Sequence, residues 1–281
     1  MLWTHLTPGP NLGQVLAAQA QPISLLILLP GLGMTLVGLA FMAYAWVKRL
    51  GFRYLLFGAA AWAVAVALKL AWAVTENAGI YDALKGTLGE TAGSWIFYVY
   101  VGLLTGIFEV ALLWVFLSRT RFGRMPWPQA LSFAIGFGSI EALLVGLSSL
   151  LPAASALLTP SALAPSTLVQ LARAANPLFG LAPIVERAAT TFLHVFACLL
   201  IFYAINAGQK RWVWIAILYK TANDSVAAFA QFWGVDTLTH LWTIEAVIIL
   251  FGLMGVWGVR WLANGYVQES RRKQAFSAAP S

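Results

Sequence analysis

Seven stretches of this chain run apolar for about twenty residues or more: 22–47, 54–74, 94–117, 128–151, 183–207, 212–234 and 241–263. About 20 helical residues are enough to cross the roughly 30 Å hydrocarbon core of a bilayer. No water is available there to satisfy backbone N–H and C=O groups, so a spanning segment must close its own hydrogen bonds as a helix does. The expected fold class is therefore all-α, a polytopic transmembrane helix bundle of about seven spans. Composition agrees, since 60% of residues are hydrophobic and only 10% are charged, against about 25% charged in a soluble domain. The expected organisation is a short extracytoplasmic tail (1–21), a single transmembrane domain (22–263) and a basic cytoplasmic tail (264–281). The tail 1–21 lacks the basic n-region of a signal peptide.

The net charge of +7 is a statement about topology, not about nucleic acid, and no nucleic-acid partner is expected. Lys48, Arg49, Arg53, Arg119, Arg121, Arg124, Lys210, Arg211, Arg260, Arg271, Arg272 and Lys273 fall on one side of the spans. Only Lys85 and Arg173 fall on the other, beside Glu76, Asp82, Glu90 and Asp236. The positive-inside rule then predicts an outside N-terminus and a cytoplasmic C-terminus in the cell (cytoplasmic) membrane. Trp46, Trp72, Trp95, Trp114, Trp127, Trp212, Trp214, Trp233, Trp242 and Trp261 lie near span ends, as interfacial anchors do. The single cysteine, Cys198, provides neither a disulfide nor a CxxC metal site.

Two outer connections, 75–93 and 152–182, are expected as long loops, the second with an amphipathic stretch at 166–174. Gly102 and Gly106 form a GxxxG that permits close helix approach. There is no internal repeat and no pair of broken helices of the kind that marks transporters.

Charged side chains inside such spans are rare and face the bundle interior. Glu109, Glu141, His194 and Asp224 each lie about eleven to fifteen residues from a span end on four different helices, within about two turns of one depth. Glu186, Arg187 and Glu245 sit nearer the outer face; Lys69 lies in the outer half of the second span and Lys220 in the inner half of the sixth. Lys220 and Asp224 are i and i+4 and share a face, as do Arg187 and His194, two turns apart. Asn223 adds a polar atom at the same depth. Lys69, Arg187 and Lys220 do not balance the five acids, and a carboxylate in low dielectric must protonate, pair with a cation or bind a metal. Three readings stay open on these grounds: a Zn²⁺-type site, a structural polar network, and a proton or substrate pathway.

The segments around these residues resemble the YhfC-type family of intramembrane metalloproteases, relatives of the CAAX-processing and PrsW-type membrane proteases. The likeness lies in Gly106-Ile107-Phe108-Glu109, in Gly136-Phe137-Gly138-Ser139-Ile140-Glu141-Ala142, in Val185-Glu186-Arg187 followed by His194, and in Ala216-Ile217-Leu218-Tyr219-Lys220 through Asp224. The resemblance implies a divalent metal such as Zn²⁺ held by Glu141, His194 and Asp224, with Glu109 as the general base. It implies substrates that are transmembrane or lipid-linked peptide segments entering from the membrane lipid. The chain also departs from the pattern. Val110 stands where a second glutamate is typical, Leu113 where a base is, and Phe137 and Lys220 where histidines are. Those departures imply the alternative, a metal-free, non-catalytic scaffold or accessory subunit among membrane protein partners.

Overall fold

The computed structural model describes residues 24–277, with side chains to Tyr266. The expectations for 1–21 fall outside the described residues. Every described element is helical. A 3₁₀ turn (Leu25–Leu28) leads into α1 (Leu29–Val47), then α2 (Phe52–Leu88) and α3 (Glu90–Thr105). A π-helical turn (Gly106–Ala111) joins α3 to α4 (Leu112–Ser118). After a 3₁₀ turn at Arg121–Arg124 come α5 (Trp127–Leu158), α6 (Pro165–Ala174), α7 (Pro177–Ala207), α8 (Arg211–Trp233) and α9 (Leu238–Ser277). Six of the spans are long and apolar enough to cross a membrane, counting α3, the π-turn and α4 as one. The remaining expected span, the sixth in the chain, is α8, which has the length, 23 residues; Lys220, Asn223 and Asp224 lower its hydropathy.

Several expected loops are helix. Segment 75–93 continues α2 to Leu88 and breaks only at Gly89, whose φ of 81° suits glycine. The extra turns bury Asn77 and pack Ile80, Tyr81 and Leu84 on Phe97, Tyr98 and Phe232, which holds them helical although Gly79 and Gly86 intervene. Pro152 and Pro183, expected at span ends, instead lie inside α5 and α7. Neighbouring helices let a membrane helix absorb the lost backbone bond. The amphipathic stretch expected at 166–174 is found as α6, Pro165–Ala174. The last helix passes 263 without a break and continues to Ser277.

α7 is the hub: it packs against α9, α5, α1 and α8, while α5 packs on α1 and α2, and α3 on α8 and α2. The main core holds Leu55, Phe133, Leu199, Leu200, Ile201, Phe202 and Ala216. Polar contacts pin the two ends. At one, Ser132 Oγ donates to Gly51 O (2.9 Å) and Asn206 Nδ2 donates to Gly123 O (3.1 Å) and Tyr266 Oη (2.9 Å). At the other, Arg173 pairs with Asp236.

Candidate functional site

Glycine packing brings the polar residues together. A Cβ on Gly102 would collide with Ser225 Oγ and Thr221 O, and one on Gly106 would sit 2.6 Å from Thr221 Oγ1. The GxxxG thus seats α3 against α8, which delivers Glu109 next to Lys220. A Cβ on Gly138 would lie 2.9 Å from His194 Cβ and 3.0 Å from Thr191 O. That closeness presses α5 onto α7, so Glu141, three residues further along, reaches His194. Glu109 itself lies in the π-turn, a distortion often found at functional sites.

Glu109, His194, Lys220 and Asn223 are buried, each 4% exposed or less. His194 Nε2 is 2.8 Å from Glu141 Oε2, and its Nδ1 is 3.6 Å from Glu109 Oε2. The imidazole therefore lies between two glutamates from different helices. Lys220 Nζ is 3.2 Å and 3.4 Å from the two His194 nitrogens, 3.3 Å from Glu109 Oε2 and 3.8 Å from Asp224 Oδ1. Lys69 Nζ donates to Glu109 Oε1, and to Thr105 Oγ1 at 3.2 Å. Arg187 donates from Nη1 to Glu141 and from Nη2 to Glu186. Asn223 Nδ2 donates to Asp224 Oδ1 at 3.0 Å. The enclosed space lined by Glu109, Phe137, His194 and Lys220 has about 0 Å³ for a water.

The sequence-derived residues thus form one network: Lys69, Glu109, Lys220, His194, Glu141, Arg187 and Glu186 in contact sequence, with Asp224 and Asn223 attached through Lys220. Glu245 is buried with Oε2 lacking a hydrogen-bond partner. The expected Lys220–Asp224 pair is present at 3.8 Å but is the longest of the Lys220 contacts. The pairings Lys69–Glu109 and Arg187–Glu141 are not visible in helix spacing, because their members lie 40 and 46 residues apart. Thr105 was also missed; its place one turn before Glu109 was the available signal.

A model of the YhfC intramembrane metalloprotease family matches residues 33–248. The chain belongs to that family. The match takes in every residue of the network described above. No curated protein and no solved structure matches the chain.

Membership in the YhfC family implies a metal, and the donor set can be tested for it. Among the described residues no group of three His, Cys, Asp or Glu side chains is arranged to hold a metal ion. Glu141 and His194 meet, but Asp224 stands across Lys220 from them. One observation favours a cation, since the buried Glu109 Oε2 has no hydrogen bond, a defect worth about 1–3 kcal/mol. Against it, Lys69 and Lys220 answer Glu109, Arg187 answers Glu141, and Lys220 answers Asp224. Each of these carboxylates is thus already paired with a cation of the chain, and a divalent ion would have to displace Lys69, Lys220 or Arg187 to reach it. As the side chains stand, they do not fit a divalent metal.

Proposed function

We propose that this YhfC-family protein is an intramembrane peptidase that acts on transmembrane or lipid-linked peptide segments, with Glu109, Glu141 and His194 as its reacting groups. The observation carrying the reading is the imidazole of His194 held between the buried Glu109 and the half-buried Glu141 at the meeting point of four helices. Glu141 orients the ring through Nε2, which leaves Nδ1 toward Glu109, with Lys220 against both ring nitrogens. Substrate entry would have to part the closed network and admit the attacking water, whose proton Glu109 takes as base and returns to the leaving nitrogen. Lys220 presents an ammonium where negative charge develops on the attacked carbonyl, the role of a preorganised donor. No step is assigned to a metal, because the side chains do not accommodate one. The proposal includes membership of the wider CAAX- and PrsW-type group, seven spans with the N-terminus outside, and residence in the cell membrane. It also keeps 22–263 as one domain flanked by tails at 1–21 and 264–281.

A second reading is favoured by one observation. Lys220 closes the network with no room for water, as a non-catalytic scaffold would have it, and Phe137, Val110 and Leu113 add no reacting group. The test is cleavage of a reconstituted transmembrane peptide by wild type and Glu109→Gln, with and without chelator, beside metal analysis of wild type and His194→Ala. The proposal expects cleavage that survives chelation and falls about 10²–10⁴-fold in Glu109→Gln. No cleavage by wild type selects the scaffold. Stoichiometric metal in wild type that is lost in His194→Ala overturns the conclusion that the site rejects one.

A further inference from the structure

A second cavity, of about 550 Å³, opens between α2 and the α3–α4 span, and every side chain lining it is apolar. Its floor holds the buried Ala65, Leu113 and Phe133, with the half-buried Ala61 beside them; Val64, Leu68 and Leu112 at its edge are exposed. Along α2 it runs from Phe57 to Leu68, about 16 Å at 1.5 Å per residue. At one end Phe57, Phe116 and Phe122 meet edge to face or stacked, with centroids 5.2 Å and 6.0 Å apart. That end is the basic one. Arg121 and Arg124 flank Phe122 in a single 3₁₀ turn, both exposed and neither paired with a carboxylate among the described residues. At the other end Leu68 and Phe108 precede Lys69 and Glu109 in the chain.

We infer that this groove binds one acyl chain of an anionic phospholipid, with its headgroup at Arg121 and Arg124. Charge and polarity set the peptide alternatives apart. A transmembrane helix closes its own backbone hydrogen bonds and could lie against the groove, but its apolar surface offers no counter-charge to Arg121 and Arg124. An extended peptide would fit, but its backbone N–H and C=O groups would go unpaired at about 2–7 kcal/mol each. A hydrocarbon chain has no such groups. The two arginines supply the complement to a negative headgroup, and each juxtamembrane arginine strengthens such binding. The inference goes beyond the proposed reaction and does not depend on it.

The experiment is native mass spectrometry of the full chain in detergent, titrated with palmitoyl-oleoyl phosphatidylglycerol or phosphatidylcholine. Wild type retains phosphatidylglycerol in preference to phosphatidylcholine. Arg121→Gln with Arg124→Gln lowers that preference roughly tenfold or more, and Ala61→Trp, which fills the floor, abolishes retention of either lipid. Should Ala61→Trp fail to fold, Ala60→Trp at the rim reads the same loss. Equal retention of the two lipids by wild type overturns the headgroup site. Undiminished retention by the folded tryptophan variant means annular lipid only and overturns the groove.

Discussion

Lys220 is the residue on which the chemistry of this site turns. It touches Glu109, His194 and Asp224, so one ammonium supplies charge that a family metal would bring. Lys220→Met leaves Asp224 without its cation, whereas Glu109 keeps Lys69. An orphaned charge costs up to about 3–5 kcal/mol when fully buried, and less for Asp224, which is half-buried and keeps its bond from Asn223; replacing both partners with apolar groups can be nearly neutral. Lys220→Met should therefore lower thermal stability in detergent, and adding Asp224→Leu should restore part of the loss. A double variant no more stable than the worse single would show that this pair does not balance the charge, and a metal partner for Asp224 would then be the better account. The i,i+4 spacing made the Lys220–Asp224 contact legible in the sequence. The closer contacts to Glu109 and His194 were not, because they depend on how three helices are set against one another.

At the scale of elements, small residues set the helices close enough for the site to form. Gly102 and Gly106 let α3 touch the backbone of α8 at Thr221, and Gly138 does the same between α5 and α7 at Thr191. Overpacking a tight contact costs about 1–3 kcal/mol. Gly102→Leu should therefore destabilise the protein while also separating Glu109 from Lys220. The expected outcome is a lower Tm together with weaker protection of Glu109 from a membrane-permeant carboxyl reagent. Unchanged Tm and labelling would mean that α3 and α8 do not meet through this stripe. Helix positions were largely readable from the apolar runs, but their ends were not. The polar segment 75–88 is held in helix by Tyr81 and Leu84 packing on a neighbour's aromatic face, a tertiary contact that local composition does not encode. Pro152 and Pro183 misled for a related reason: within a bundle, a proline need not end a helix.

For the whole molecule, the lie of α8 decides the parity of the spans. By hydropathy six spans qualify and α8 does not, and six crossings would leave both termini on one side. The contacts at the two ends of the bundle argue for a seventh. α8 starts at Arg211, just after Asn206, which bonds Gly123 and Tyr266 at the basic end. It finishes at Trp233, just before Asp236, which pairs with Arg173 at the opposite end. Lys220 faces Glu109 and His194, Asn223 is buried, and Asp224 pairs with both of them, so their insertion cost is offset inside the bundle. The basic segments at 119–124, 210–211 and 260–273 then share one side only if α8 and α9 both cross. Reporter fusions after residues 85 and 273 should accordingly localise to opposite faces of the membrane, the latter to the cytoplasm. A fusion at 210 should match the one at 273, and one at 236 should match the one at 85. Fusions at 210 and 236 on the same side would leave α8 as a helix that does not cross, and the Lys220 network would lie at the membrane surface instead of its centre.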